Sequence, residues 1–580
     1  MLDLLITNGL VVDGTGAPGR LADVGIREGR IVSIVSQGER IEQELAARTI
    51  DATDLVVAPG FVDLHTHYDA QLFWDPTASP SPLHGVTTVF GGNCGFSLAP
   101  ATAEHADYLT RLMARVEGMP LDALQAGLDW EWVSFGDWLG RLEGRLGVNA
   151  GFLVGHTALR RVAMGEAATA GQATPAQLAR MQELLRDALA AGALGLSTSQ
   201  APTHNDWAGD PVPSRAADRA ELLALSEVVG RHPGTTLELI LAGALSKFSD
   251  DEMDLMAAMS ATAGRPVNWN VLAVTTLDPD GWHHQLRASD VAAEQGGQVV
   301  ALTMPHLMRI RLSFLSGFIL DALPGWGEVI ALPPAERLVA LRDPAVRRRL
   351  DDGAHSPEAG MLAGLANWGI LEVAETFSPQ TAAYEGRTVG DLAVESGRDP
   401  FDVLLDIVCD DELRTGLRPP AFGDSDADWA ERAKAWHDPR TIVGASDAGA
   451  HLDMMCGAIY STSLLGDGVR ERQLITLEEA VRQLTSVPAA LYGLRDRGVV
   501  AEGAWADVVV FDPATVGHEP ERTRHDLPGG APRLYAEARG IEHVLVNGTG
   551  IVRGGDFLDA TPGTLLRSGR DTMTVAPTPA

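Results

Sequence analysis

The chain runs to 580 residues with 45% hydrophobic and 21% charged residues, the balance of a folded globular protein and unlike that of a disordered one. A formal net charge of -33 repels phosphate backbones and anionic lipid, which sets nucleic-acid and membrane-surface roles aside. Three widely spaced cysteines, Cys94, Cys409 and Cys456, give no disulfide framework and suit a reducing compartment.

The opening "MLDLLITNGLVVDGTG" has no basic n-region, and no apolar run approaches the ~20 residues of a membrane helix, so the cytoplasm is the expected location. From Leu4, "LLITNGLVVDGTG…ADVGIREGRIVSIV" alternates apolar and polar residues around Asn-Gly and Glu-Gly turns and reads as hairpins. "ADVVVFDP" and "IEHVLVNGTGIVRGG" near the other end read the same way. Strands from the two ends, 1–58 and 485–580, are expected to build one small composite β-sandwich. The stretch after Gly563 has no apolar period and reads as a loose tail.

Between them, short apolar strands alternate with Ala/Leu/Arg-rich helical stretches such as "TPAQLARMQELLRDALAAG", the pattern of βα units around a parallel sheet. The strands are "FVDLH" at 61, "VTTVFGG" at 86, "GFLVGH" at 151, "ALGLST" at 193, "TLELIL" at 236, "VNWNVL" at 267, "VVALTM" at 299 and "TIVGASD" at 441. Eight strands favour a (β/α)8 TIM-like barrel over 59–484, with its site at the strand C-terminal ends. A doubly wound open sheet is the alternative. The long gap at about 306–440 reads as an inserted helical lid.

The chemistry collects at those ends. In "VVAPGFVDLHTHYD", His65 and His67 sit one residue apart at the end of an apolar strand, so their side chains share a face and reach one ion. Cys94 in "GGNCGFS" follows the second strand, His156 in "VGHTALR" the third, and Asp447 and His451 in "GASDAGAHLD" the eighth. Imidazole and thiolate suit Zn²⁺, which lowers the pKa of a bound water to ~7 and polarises a carbonyl. Asp447 is then placed to take a proton from that water and pass it to a leaving group.

"PGFVDLHTH", "GVTTVFGGNCGFSLAP", "GASDAGAHL" and the late "GAWADVVVFDP" together resemble the amidohydrolase superfamily, and within it the D-aminoacylase group, which hydrolyses N-acyl-D-amino acids. The likeness spans most of the chain, and its most specific piece is "GNCGFSLAP". It implies His65, His67 and Cys94 as zinc ligands, Asp447 as general acid/base, and one zinc in preference to two. The carboxylated lysine that bridges two metals in many amidohydrolases has no counterpart, since Lys247 and Lys434 are the only lysines and neither ends the fourth strand. The group also supplies histidines on its fifth and sixth strands and an arginine soon after the last-strand aspartate. Here "TLELILAGA" and "VNWNVLAV" contain no histidine, and "HLDMMCGAIYSTSLLG" no arginine. Glu238, Asn268 and Asn270 are the polar residues on offer, of which a carboxylate suits zinc and amides do so poorly.

His156, Glu238, Asn270 and His451 are therefore candidate substrate-binding residues. His204 and His306 are further candidates for a missing ligand, and Arg309 or Arg311 for holding a substrate carboxylate. The expected activity is metal-dependent hydrolysis of a C–N amide bond in an N-acyl amino acid, with D configuration among the options, or a related small amide. The alternatives are hydrolysis of a lactone, cyclic imide or other ester-like bond with altered metal content, and a degenerate barrel that binds a small ligand without turnover. The expected partner is a small-molecule amide; a homo-oligomer is compatible with the sequence.

Overall fold

The computed structural model describes residues 1–36, 41, 46–317, 319–421 and 423–578; the remaining positions of the expected 1–58, 306–440 and 485–580 segments lie outside the described residues. All eight expected strands are present: Phe61–Asp63, Val86–Gly91, Asn149–Phe152 continuing as Val154–Gly155, Gly195–Ser199, Thr236–Ile240, Val267–Leu272, Val299–Thr303 and Thr441–Val443. Every pairing among them is parallel. Most of their residues are buried, which is why they read as apolar runs and not as an alternating pattern.

The third strand is interrupted at Leu153. Its first half pairs with the second strand and its second half with the fourth, so one stretch of chain belongs to two parallel sheets. Just past the first and eighth strands, the His67 amide donates to the Ala448 carbonyl at 2.8 Å and the Asp447 amide to the His65 carbonyl at 3.0 Å. These two bonds lock together the loops that carry His65, His67 and Asp447.

Helices fill the connections, and their starts are written locally. Thr174 and Gln177 form a reciprocal capping box at the head of Pro175–Ala190, and Ser249 and Glu252 do the same for Asp250–Ala263, each satisfying amides that a helix start leaves unpaired.

The apolar run from Val56 to His65 is divided between two sheets. Val56–Pro59 pairs with Leu4–Val11 and Val508–Phe511 in a nine-stranded sheet drawn from both ends of the chain, and only after Gly60 does the first parallel strand begin. A Cβ at Gly60 would lie 2.2 Å from the Thr87 side chain, so glycine is what lets the chain pass from one sheet to the other.

The 306–440 insertion has its own apolar cluster around Trp326, Trp368 and Phe401. It contains helices and a small sheet of Leu312–Ser313, Glu372–Glu375 and Gly416–Arg418. The expectation of a loose tail after Gly563 is corrected. Leu565 and Leu566 are buried, and Ala150 donates to Thr564 O at 3.0 Å while Leu566 donates to Ala150 O at 2.8 Å. Further on, Gly234 donates to Thr574 Oγ1 at 3.0 Å. A short aperiodic segment is thus held by backbone hydrogen bonds, which carry no periodic side-chain signature. Among the described residues no helix is long and apolar enough to cross a membrane.

Candidate metal centre

His65 and His67 emerge from the first parallel strand with ring centroids 5.2 Å apart. Cys94 follows the second strand, and its Sγ lies 3.5 Å from His65 Nε2. Asn270, from the sixth strand, places Nδ2 3.4 Å from that sulfur and 3.5 Å from His65 Nε2. Asp447 Oδ1 closes the group, 3.1 Å from His67 Nε2 and 3.7 Å from His65 Nε2. His451 Nε2 stands 3.7 Å from the other Asp447 oxygen. The structure thus brings His65, His67, Cys94, Asn270, Asp447 and His451 together from four strand ends.

Glu238 lies directly behind them. Its Oε2 accepts the Cys94 amide at 2.9 Å, and its Oε1 is 3.9 Å from His65 Nδ1. Three of these residues hold left-handed backbone: Cys94 at φ +53, Asp447 at +59 and His451 at +50. Such conformations cost about 1–3 kcal/mol each and persist where the surroundings enforce them, as at active sites.

His156 is the exception. Its Nδ1 pairs with Thr198 Oγ1 at 2.9 Å and its Nε2 with Glu221 Oε1 at 2.7 Å, and Glu221 in turn holds Arg160. Both ring nitrogens are spent on this buried network, and the structure does not bring His156 into the group formed by His65, His67, Cys94 and Asp447. Asn268 donates to Leu237 O. His204 contacts Ser199 Oγ through Nδ1 and lies against Phe96. The buried His306 has His518, Arg432 and Arg309 around it. Lys247 and Lys434 form exposed ion pairs with Asp278 and Glu431.

One site residue escapes the sequence reading. Glu117 caps the helix Ala103–Val116 and sets its Oε2 3.4 Å from His67 Nδ1. A carboxylate at a helix C-terminus opposes the helix dipole, and that misfit in "VEGMP" was the available signal.

Burial lifts the carboxyls of Glu238 to about 8 and Glu117 to about 7. It drives His65 down to about 3, helped by the charge on His67. For His67 burial acts downward too, but Glu117 and Asp447 outweigh it and raise the ring to about 9. Burial works against ionisation of Asp447, yet the hydrogen bond and charge of His67 hold its carboxyl below the ordinary range. The Cys94 thiol is pushed well up by burial and by Glu238.

The donor set fits a zinc ion. His65, His67 and Cys94 each offer a ligand atom, buried and all within 4.8 Å of one another; tetrahedral zinc with N and S ligands needs separations of about 3.4–3.8 Å. His65 Nδ1, both nitrogens of His67, Glu238 Oε1 and Asn270 Oδ1 are buried without a hydrogen-bond partner.

Two histidines, a thiol and a carboxylate gathered at the ends of parallel strands define the class of site used for metal-assisted hydrolysis. The chain belongs to the amidohydrolase family, whose model matches residues 48–552. It is 29% identical over 573 residues to the D-aminoacylase of Alcaligenes xylosoxydans xylosoxydans, covering 97% of each chain. To the N-acyl-D-glutamate deacylase of the same organism it is 31% identical over 565 residues, covering 95% of this chain and 93% of that one. The crystal structure of N-acyl-D-glutamate deacylase from Bordetella bronchiseptica, complexed with zinc and a phosphonate mimic of the tetrahedral intermediate, matches with a TM-score of 0.64 at 27% identity, over 98% of this chain and all of that one.

Proposed function

We propose that this protein hydrolyses the amide bond of N-acyl amino acids, of D configuration, with one zinc ion held by His65, His67 and Cys94. The observation that carries the reading is the meeting of both histidines of the HTH motif with Cys94 and Asp447 inside one buried cluster. When bound, zinc supplies the acidity that makes water a nucleophile at neutral pH and polarises the carbonyl under attack.

The chain's own groups do the rest. Asp447 begins as a carboxylate, the ordinary state of an aspartate at neutral pH. Unlike His65 and His67, it keeps a fifth of its side chain exposed. It accepts the proton of the attacking water and delivers it to the amide nitrogen as the C–N bond breaks. Glu238 holds the Cys94 amide and so fixes the loop that presents the thiol. His451 faces the second Asp447 oxygen and keeps the carboxylate turned toward the centre.

A cavity of about 490 Å³ is lined by Gly118, Asp453, Phe377 and Arg414 among others, and not by His65, His67, Cys94 or Asp447; Arg311, also in its wall, is paired with Glu375. The reading includes eight strands wrapped as a (β/α)8 barrel over 59–484, a β-sandwich from 1–58 and 485–580, and a lid at about 306–440. It also includes a cytoplasmic location and small molecules as the partners.

Glu238 and Asn270, at strands where the D-aminoacylase group carries histidine, favour a second reading in which altered metal content directs the enzyme to a lactone or cyclic imide. The test is zinc content by inductively coupled plasma mass spectrometry for wild type, His67→Ala and Cys94→Ala. Alongside it, N-acyl-D- and N-acyl-L-amino acids, a lactone and a cyclic imide are assayed. The expected result is near-stoichiometric zinc, lost in both variants, with turnover of the D-acyl substrates. A metal-free wild type, or turnover of the lactone or imide alone, overturns the proposal.

A further inference from the structure

A histidine that gives one nitrogen to a cation needs a partner for the other, and a carboxylate there fixes the tautomer, orients the ring and strengthens the ligand. His67 has a carboxylate on each side. Nε2 faces Asp447 Oδ1 at 3.1 Å, the same oxygen that stands 3.7 Å from His65 Nε2, which in turn lies 3.5 Å from Cys94 Sγ. Nε2 is therefore the nitrogen turned toward the centre. Nδ1 is turned away from it, and 3.4 Å from Nδ1 stands Glu117 Oε2, on a side chain that is 4% exposed, within ion-pair reach although Nδ1 makes no hydrogen bond as it stands.

Resting on the zinc reading above, we propose that Glu117 is the positioning residue of His67, holding the ring so that Nε2 alone is presented to the cation. The sequence gives no reason for a carboxylate at that place except a partner. Glu117 ends a helix whose dipole disfavours it, and a buried charge without a partner is costly.

The fold also fixes where Glu117 sits. Its amide donates to Met113 O at 3.0 Å, and its carbonyl accepts the His451 amide at 2.5 Å. The next residue, Gly118, has φ +59, and a Cβ there would lie 3.0 Å from His451 Cα. The end of this helix is thus seated on the loop that carries Asp447 and His451. His67 is held from one side by that helix and from the other by that loop.

The test is a chelator-competition titration of zinc affinity on the full chain, for wild type, Glu117→Gln, His67→Ala and the double variant, with circular dichroism as the check on folding. Glu117→Gln keeps size and shape while removing the charge, and zinc affinity is expected to fall about 10–100-fold. In the His67→Ala background the same substitution is expected to change nothing further, since Glu117 acts through that ring. With Co²⁺ in place of zinc, the thiolate-to-cobalt absorption should persist in Glu117→Gln with its ligand-field bands unmoved.

Three results overturn the proposal: unchanged zinc affinity in Glu117→Gln, the same loss with and without His67, or shifted ligand-field bands, which would make Glu117 a direct ligand beside His67 and Asp447. A wild type that binds no zinc would overturn the metal reading itself. Zinc bound by wild type with Glu117→Gln unaffected would remove only the role given to Glu117.

Discussion

Two polar clusters, one around His156 and one around His65 and His67, each set a buried histidine beside a buried glutamate and differ in how their hydrogen bonds close. In the first, His156 is matched at both nitrogens, and Arg160 spends its guanidinium on both Glu221 oxygens and on the carbonyls of Ala168 and Gly171. In the second, His65 Nδ1, Glu238 Oε1 and Asn270 Oδ1 have no hydrogen-bond partner, and Cys94, Asp447 and His451 hold strained backbone. A histidine beside a glutamate therefore says little about function until its remaining polar atoms are accounted for. The first cluster is complete as it stands, whereas the second is arranged around something it would bind.

The largest expected effect breaks the second cluster without touching the first. Asp447→Asn keeps the shape of the side chain and removes the proton acceptor, so kcat on an N-acyl-D-amino acid should fall about 10²–10⁴-fold while zinc content stays at the wild-type level. Full turnover by this variant would take the general acid/base role away from Asp447.

Next in size is the converse. Glu221→Gln leaves Arg160, fully buried, with carbonyls but no counter-charge, and removing one partner of a buried pair costs about 3–5 kcal/mol. Urea denaturation should show that loss with zinc content unchanged. A variant as stable as wild type that had lost its zinc would mean that the two clusters are one.

The contrast also marks what was legible in the chain. All eight parallel strands were readable because strands buried on both faces are short apolar runs, and their ends pointed to His65, His67, Cys94 and Asp447. The run "VVAPGFVDLH" is equally apolar on both sides of Gly60, and the clash with Thr87 shows why the change of sheet falls there. His156 was placed correctly at a strand end, but the partners that occupy it, Thr198 and Glu221, lie 42 and 65 residues further on. Glu117 depends on a fold-level contact of the same kind, 50 residues from His67. The tail after Gly563 was invisible because backbone pairing holds much of it.

The smallest effect uses another buried histidine, His84, to sharpen what a closed cluster implies. Its Nε2 pairs with Ala536 O at 3.1 Å and its Nδ1 with the Thr462 hydroxyl at 2.7 Å. Burial pushes the ring down to about 3. In the unfolded chain the same ring titrates near its ordinary value of 6.5. Between those values the unfolded state binds the extra proton, so the contribution of His84 is fully present above pH 6.5 and is lost progressively as the pH falls toward 3. From pH 6.5 to 5.5 the loss is ~1 kcal/mol. His84→Gln cannot titrate, so the stability difference between wild type and variant, measured by urea denaturation, should shift against wild type by that amount over this single pH unit. A difference that stays constant would show that His84 takes up its proton as readily in the folded state as in the unfolded chain, and that a ring with both nitrogens matched need not be neutral.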